Sequence, residues 1–163
     1  MEQGVFATAN WGLILAIAGA AFAALLAGIG SAIGVGKAGQ AAAGILADHP
    51  DRFGNCLVLE LLPGSQGIYG LIIAFLILSN SGILGGGAET LTAGMGLAYL
   101  MGALPCAVGC LTSAIHQGNV AASSIALVGK RGEGFGNGMT ITLMVETYAL
   151  FSFLVSLLIV VNI

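Results

Sequence analysis

Four long apolar segments, separated by three short polar breaks, dominate this sequence of 163 residues. The segments cover roughly residues 11–46, 53–80, 91–128 and 135–162. Each exceeds the ~20 residues that a helix needs to cross the hydrocarbon of a bilayer. Only 7% of the residues are charged, against about 25% in soluble domains. The sequence therefore predicts an all-α integral membrane protein with four transmembrane helices, in which residues 1–163 form a single membrane domain.

The basic residues give the expected orientation in the membrane. All four lie in or near the first and third breaks: Lys37, Arg52, Lys130 and Arg131. Loops on the cytoplasmic side of a membrane carry an excess of Lys and Arg. We therefore expect the breaks at residues 47–52 and 129–134 to be cytoplasmic loops of a multi-pass cell-membrane protein. Both termini are then expected on the outer side.

The second half of the chain repeats the first at an offset of 82 residues. Residues 31–33, Ser-Ala-Ile, recur at 113–115. Small residues at every fourth position form two stripes in the same register: Gly12, Ala16, Ala20, Ala24, Gly28, Ala32 and Gly36, and Gly94, Ala98, Gly102, Cys106, Cys110, Ala114 and Gly118. Small residues let helix backbones approach closely in membranes. The pattern predicts two tandem, parallel-repeat hairpins, residues 11–80 and 91–163, with the first and third helices in a tight seam.

Glu146 is the residue that a membrane fold explains least well. Apart from Tyr148 it is the only ionisable group in residues 139–163. A charged side chain at bilayer depth costs about 2.5–3.5 kcal/mol on insertion scales. Its charge must be met by a proton, a bound cation or an arginine of another subunit. Because Glu146 aligns with Gly64 at the repeat offset, one chain carries one such group.

Three helices bring polar side chains to the depth of Glu146. Gln117 and Glu146 are equally far from the middle of the third break, on opposite sides of it. In an antiparallel hairpin they should therefore lie at the same level. Ser65 and Gln66 lie at nearly the same distance from the first break.

The second helix adds an oxygen-rich face. Leu62, Ser65, Gln66 and Tyr69 follow the i, i+3, i+4, i+7 spacing of one helical face. Pro63 lacks a backbone donor, so the helix is disturbed there and a nearby carbonyl is freed. Hard cations prefer several oxygen ligands, and a site with one carboxylate suits a monovalent ion. This pattern favours sodium, while a proton on the carboxylate remains the alternative.

Two motifs resemble one protein family. Residues 61–70 read LLPGSQGIYG and residues 144–149 read MVETYA. Together with residues 28–32 and 117–118, they closely resemble the proteolipid K subunit of V-type ATPases, and in particular the bacterial sodium-pumping type. The resemblance covers essentially the whole chain. It implies a homo-oligomeric rotor ring that turns against a stator during ATP-driven ion transport.

The resemblance also implies the site and the partners. It implies Na⁺ ligands at the carbonyl of Leu62 and the side chains of Ser65, Gln66, Gln117 and Glu146, with Tyr69 hydrogen-bonded to the carboxylate. Ser65 stands where the sodium-pumping pattern has Thr, so the hydroxyl is kept. The expected partners are lipid, a stator membrane subunit that supplies an arginine, and a central-stalk subunit at the cytoplasmic loops. No nucleic acid is expected.

Other classes of function fit the sequence less well. The chain has no phosphate-binding loop and no nucleophile constellation, so we expect it to be a non-catalytic, ion-translocating part of an ATP-hydrolysing complex. A small, self-contained cation-coupled transporter also uses a membrane carboxylate. Parallel duplication with one acid and overlong helices of small residues argue against it. A purely structural pore protein would leave the cost of Glu146 unexplained.

Several further residues carry weaker expectations. Glu60 lies outside the oxygen-rich face, and we expect it to snorkel or to hydrogen-bond between subunits rather than to form a second ion site. His116 points about 100° away from Gln117 on its helix, which favours a packing role. Cys56, Cys106 and Cys110 lie in apolar segments and are expected to be buried residues without a disulfide.

Overall fold

The computed structural model describes residues 10–86 and 91–163, which form two helical hairpins. The first hairpin consists of α1 (Trp11–Asp48), a 3₁₀ turn (Pro50–Arg52), α2 (Phe53–Leu61), a 3₁₀ turn (Leu62–Gly64) and α3 (Ser65–Asn80). The second consists of α4 (Ala93–Lys130), a 3₁₀ turn (Gly132–Gly134) and α5 (Phe135–Val160).

Four spans in the described residues are long and apolar enough to cross a membrane: Trp11–Asp48, Pro50–Asn80, Ala93–Lys130 and Gly132–Val160. This confirms the predicted fold class, with helix ends close to the expected ones. Part of the second predicted break, at residues 87–90, and the first nine residues lie outside the described part of the chain.

Arg52 joins the two loops that we expect to be cytoplasmic. Its guanidinium donates to the carbonyl oxygens of Val128 and Gly129, in the last turn of α4. The carbonyls at a helix C-terminus lack intrahelical partners and carry partial negative charge. In the sequence Arg52 indicated only the orientation of the chain. In the structure it also caps α4 and links the two hairpins.

The seam between α1 and α4 is as tight as the small residues predict. A Cβ atom added to Gly34 would overlap the carbonyl oxygen of Ala114, and one added to Gly118 would overlap the Cα of Gly34. Gly12 and Gly96 are in equally close contact. α1 and α4 therefore pack backbone to backbone, with the second and fourth spans on their outer side.

The predicted stripes do not follow this seam along their whole length. Gly28 and Gly36 face nothing within 4 Å, and Ala32 and Gly36 are exposed. Each step of four residues turns about 40° beyond a full helical turn, so six steps carry a stripe about 240° around the helix. The buried face of α1 instead mixes steps of three and four residues, along Gly12, Ala16, Gly19, Ala23, Ala27, Gly30, Gly34, Ala38 and Ala42.

Gly118→Ala is expected to destabilise the folded chain. The added methyl group would meet the backbone of Gly34, which cannot move aside as a flexible side chain can. Overpacking of this kind costs about 1–3 kcal/mol. The matched control is Gly44→Ala in α1, where a Cβ meets nothing within 4 Å. That change should stabilise slightly, since Ala is the better helix former by about 1 kcal/mol. Denaturant unfolding of the purified variants measures both, and equal stability of Gly118→Ala and the wild type would contradict the tight seam.

Candidate ion-binding site

Glu146, on α5, is the centre of a polar cluster buried between the hairpins. Only 8% of the residue is exposed. Its Oε1 accepts hydrogen bonds from the hydroxyls of Ser65 (2.6 Å) and Tyr69 (2.7 Å). Its Oε2 accepts from the amide nitrogens of Gln117 (2.8 Å) and Gln66 (3.2 Å). Four neutral donors from α3 and α4 thus hold the carboxylate.

The interruption at Pro63 sets the position of Ser65. The helical span becomes a 3₁₀ turn at Leu62–Gly64 and resumes at Ser65. The Ser65 hydroxyl lies 2.9 Å from the Leu62 carbonyl oxygen and 3.3 Å from Oε1 of Gln66, besides its contact with Glu146. A hydroxyl has one proton to donate, yet three acceptor oxygens surround it. Around Ser65 there are therefore more acceptor oxygens than protons that can be donated to them.

The two glutamines face the carboxylate differently from what an oxygen-ligand site requires. Both are fully buried, and Gln66 Nε2 also donates to Gln117 Oε1 at 2.6 Å. Their NH₂ groups point toward Glu146, because a carboxylate attracts donors. A half-turn of each amide about its terminal bond exchanges nitrogen for oxygen with little change of shape. The same side chains can thus present either donors to a carboxylate or oxygens to a cation.

All six residues predicted for the site come together in the structure. They are Leu62, Ser65, Gln66, Tyr69, Gln117 and Glu146. Their common depth agrees with the prediction made from their distances to the loops. That they bind an ion stays a prediction.

The groups that hold Gln117 and its helix in place were not predicted from the sequence. The backbone carbonyl of Thr142 accepts from Gln117 Nε2 at 3.2 Å. The Thr142 hydroxyl pairs with that of Ser124 at 3.1 Å, and both hydroxyls lie within hydrogen-bond distance of the Gly138 carbonyl. These contacts fix α5 against α4 on the loop side of Glu146. A backbone acceptor such as the Thr142 carbonyl cannot be recognised from the residue type. The only signal in the sequence was that Ser124 and Thr142 are polar residues in apolar segments.

Ser31 supports the interruption in the first hairpin. Its hydroxyl accepts from the backbone N–H of Gly67 at 2.7 Å. Its repeat counterpart, Ser113, donates to the carbonyl of Val145 at 3.0 Å. The recurrence of Ser31 at the repeat offset was visible in the sequence, but only as a mark of duplication. In the structure the two serines tie α1 to α3 and α4 to α5.

The site contains a single charge. Within residues 10–86 and 91–163, no group of three or more His, Cys, Asp or Glu side chains could hold a metal ion. The groups that contact Glu146 are hydroxyls and amides. One carboxylate among neutral oxygens suits a monovalent cation better than a transition metal, which prefers nitrogen and sulfur ligands.

A shallow groove of about 420 Å³ leads to the carboxylate from the outer face of the molecule. It is lined by Val58, Leu61, Leu62, Ser65, Tyr69, Leu143 and Glu146. The ring of Tyr69 stacks on Phe153 at 5.1 Å between centroids, which positions its hydroxyl. The groove gives Glu146 an opening toward the surface that would face lipid or a partner.

The remaining expectations from the sequence concern residues outside the cluster. The three cysteines are free and buried, as predicted. Glu60 is half-buried against α1, where a Cβ on Gly39 would lie 2.8 Å from its Oε1. His116 is exposed on the flank of α4.

Comparisons with known proteins agree with the duplication. The family of the ATP synthase C subunit matches the chain twice, at residues 18–77 and 100–159, so that the second match is the first displaced by 82 residues. The V-type sodium ATPase subunit K of Enterococcus hirae is 43% identical over 155 residues, which cover 95% of this chain and 96% of that protein.

Two further relatives are more distant. The A-type ATP synthase subunit K of Methanocaldococcus jannaschii is 35% identical over 153 residues, 93% of this chain and 64% of that protein. The V-type proton ATPase 16 kDa proteolipid subunit of Chrysotila carterae is 34% identical over 90 residues, 54% of each chain. The family matches both halves of the chain, and the Enterococcus hirae subunit aligns with nearly all of it. This chain therefore belongs to the family of the ATP synthase C subunit, as a proteolipid subunit of the V- and A-type ATPases.

Proposed function

We propose that the chain is a rotor-ring subunit of a V-type ATPase and carries one Na⁺ per copy on Glu146 during ATP-driven transport across the cell membrane. The observation that carries the proposal is the single buried carboxylate surrounded by neutral polar groups from neighbouring helices. The 43% identity to a V-type sodium ATPase subunit K supports sodium as the ion.

Five oxygen atoms would be the ligands of the ion. They are the Leu62 carbonyl, the Ser65 hydroxyl, the Gln66 and Gln117 amide oxygens after rotation, and the Glu146 carboxylate. These oxygens and one negative charge satisfy a monovalent hard cation and leave the loaded site neutral. Tyr69 would keep its hydrogen bond to Glu146 Oε1 and hold the carboxylate in place.

Neutrality is what the transport cycle requires. A loaded site without net charge can pass through lipid, whereas a carboxylate without an ion would do so only at a high free-energy cost. The groove over Glu146 faces outward, where a stator subunit would meet the ring. An arginine of that subunit would replace the ion as the partner of Glu146 and release the ion. The next copy would then load, so that rotation carries ions around the ring.

The proposed orientation places a partner subunit at the loop end of the molecule. The loops at residues 47–52 and 129–134 would face the cytoplasm and a central-stalk subunit, and both termini would lie outside. Arg52 holds these loops together by capping α4. Large apolar side chains are exposed on all four spans, among them Leu25, Leu71, Met101 and Phe151. These surfaces suit lipid and neighbouring copies rather than water.

A carboxyl-modifying carbodiimide is expected to label Glu146, and Na⁺ is expected to protect it. The reagent needs a protonated carboxyl group, and a bound cation keeps the carboxylate deprotonated. The groove of about 420 Å³ provides access. Labelling of the purified protein is followed by mass spectrometry over a range of Na⁺ concentrations, with K⁺ at equal ionic strength as the control.

Two outcomes bear on the proposal. Protection by Na⁺ but not by K⁺ supports a selective sodium site. Labelling that does not respond to Na⁺ at any concentration would contradict sodium as the ion and would favour a rotor ring that carries protons.

A further inference from the structure

Two of the three cysteines form a close pair inside the second hairpin. Cys106 and Cys110 are four residues apart on α4, and their sulfur atoms are 3.6 Å apart. Both side chains are fully buried, and neither belongs to a disulfide. Cys56 is equally buried, but it lies on α2 in a separate apolar core cluster. The chain therefore has one pair of thiols and one isolated thiol, and the ion-carrying function proposed above uses none of them.

The pair lies next to a proline in the middle of α4. Pro105 has no N–H to donate to the carbonyl of Met101, one turn earlier. The backbone N–H of Cys106 donates to the hydroxyl of Ser156 on α5 at 2.8 Å. A turn that lacks one helical hydrogen bond can shift more easily than a complete one. This favours a site that must admit a bound atom.

The helix keeps the two thiols from closing into a disulfide. Residues four apart on a helix have Cβ atoms about 5–6 Å apart, whereas a disulfide needs about 3.5–4.5 Å. A single atom inserted between the sulfurs removes this mismatch, because each sulfur then bonds to that atom and not to the other sulfur. The pair is therefore better suited to hold a bridging atom than to act as a disulfide switch.

The separation of the sulfurs indicates which kind of atom fits. A central atom with bonds to sulfur of about 2.3 Å and angles of about 100–110° holds two sulfurs about 3.5–3.8 Å apart. A linear centre with the same bond length would need about 4.6 Å. The observed 3.6 Å matches the first case. The pair thus fits a pyramidal or tetrahedral centre and disfavours linear two-coordinate ions such as Hg²⁺.

Ligand number and charge narrow the choice further. A tetrahedral zinc ion would need two more ligands, and in the described part of the chain the pair belongs to no group of three metal-ligating side chains. Trivalent arsenic is pyramidal, and an arsenical that already carries one carbon substituent needs only two thiolates. The resulting adduct has no net charge, which suits a membrane span, where a charge is costly.

We propose that Cys106 and Cys110 form a binding site for organic arsenicals of the trivalent type R–As=O. The two thiols form two As–S bonds, and the bond between arsenic and oxygen is lost. Both thiol protons leave with that oxygen as water, and arsenic stays trivalent, so no oxidant or reductant takes part. An isolated thiol such as Cys56 can form only one As–S bond, which is far more easily reversed.

Occupation of the pair would reach the Glu146 cluster through Tyr69. The Tyr69 ring packs against the core that contains both thiols, and Cys110 lies within electrostatic range of Tyr69 and Glu146. The Tyr69 hydroxyl donates to Glu146 at 2.7 Å. Because both thiols are fully buried, an arsenic atom with its substituent must displace neighbouring side chains. Binding is therefore expected to inhibit ion transport. This consequence, unlike binding itself, rests on the proposed function.

Phenylarsine oxide is the probe, and the wild-type protein purified in mild detergent is the sample. Intact-mass spectrometry should find one phenylarsenic group per chain. After denaturation and treatment with N-ethylmaleimide, peptide mapping should find Cys56 labelled and both Cys106 and Cys110 protected. A dithiol such as 2,3-dimercaptopropanol should remove the group, whereas a monothiol with the same concentration of thiol groups should not.

Single variants show whether both thiols are needed. Cys106→Ala and Cys110→Ala should each bind at least about 100-fold more weakly, because the second As–S bond is intramolecular and its loss removes the gain in effective concentration. The first hairpin has Ala24 and Gly28 at these positions of the repeat, so small side chains are compatible with the fold. Cys56→Ala is the matched control, since it removes an equally buried thiol and should bind like the wild type.

The outcomes separate this inference from the proposed function. No adduct on the folded wild type, or an adduct that persists unchanged in Cys106→Ala and Cys110→Ala, would overturn the arsenical site and leave the rotor-ring proposal standing. In the complete ATPase, loss of ATP-driven transport with the wild-type subunit but not with Cys106→Ala supports the contact through Tyr69. Undiminished transport by a fully occupied protein would contradict that contact.

Discussion

Replacing Glu146 by glutamine is expected to abolish ion transport while leaving the assembled protein intact. Glutamine has nearly the same shape and can keep contacts with Ser65, Tyr69, Gln66 and Gln117, so the hairpins should pack as before. It cannot carry the negative charge that a transported cation or proton must neutralise. Transport by the complete ATPase, reconstituted in vesicles and followed by ion uptake on addition of ATP, should fall to the level of vesicles without ATP.

The chain offers a matched control for that experiment. Glu60 is also an acid in a membrane span, but it packs against Gly39 and not in the Glu146 cluster. Glu60→Gln should therefore keep most of the transport activity. Full transport by Glu146→Gln would show that the ion is carried elsewhere. Loss of transport in both variants, with assembly intact, would mean that Glu60 also takes part in the pathway.

The composition of this cluster was predictable from the sequence because the loops fix the register of a hairpin. Two residues equally far from the same turn must lie at the same depth, and this relation puts Gln117 at the level of Glu146. The i, i+3, i+4, i+7 spacing then places Ser65, Gln66 and Tyr69 on one face. Both relations use only helical rise and rotation, which vary little among membrane helices.

The features that were not predicted depend on more than spacing. A stripe of every fourth residue resembles one helical face, but over 24 residues the rotation accumulates, and Gly28 and Gly36 leave the seam. The orientation of the Gln66 and Gln117 amides depends on which neighbouring groups donate and which accept hydrogen bonds. The spacing of residues in the sequence does not contain this information. The Thr142 carbonyl is a backbone group, so no residue type marks it.

The repeat links the predicted and the unpredicted features. It equips both hairpins with a serine that ties their two helices, although Ser31 accepts from Gly67 and Ser113 donates to Val145. Only the second hairpin has a carboxylate. At the position of Glu146 the first hairpin has Gly64, where a Cβ would meet only Val35, at 3.7 Å. The two hairpins thus share their packing, while only one of the two positions related by the repeat, residue 146, carries a carboxylate. The number of ions carried by a ring would be half the number of its hairpins.

Gln66→Leu and Gln117→Leu are each expected to weaken Na⁺ binding without changing the charge of the site. Each removes one neutral oxygen of about five, contributed by a different helix. A hydrogen bond or similar polar contact to a charged partner is worth about 1.5–3 kcal/mol, so the affinity should fall roughly 10- to 150-fold. Binding of sodium-22 to the purified, assembled protein measures the change. Thr147→Val is the control, because the Thr147 hydroxyl bonds the Met144 carbonyl of its own helix and lies outside the cluster.

The same two variants separate sodium from proton transport. A proton on Glu146 requires neither amide oxygen in particular, since the hydroxyl oxygens of Ser65 and Tyr69, which lie 2.6 and 2.7 Å from Oε1, can also accept from a protonated carboxyl group. If the ion is sodium, both variants should need far more Na⁺ for half-maximal ATP-driven transport, and any proton-driven activity should survive at low Na⁺. Unchanged sodium affinity in both variants, with assembly intact, would mean that the two amides serve only in packing. The carboxylate would then lack the oxygens that a sodium ion needs, and the assignment of sodium would be wrong.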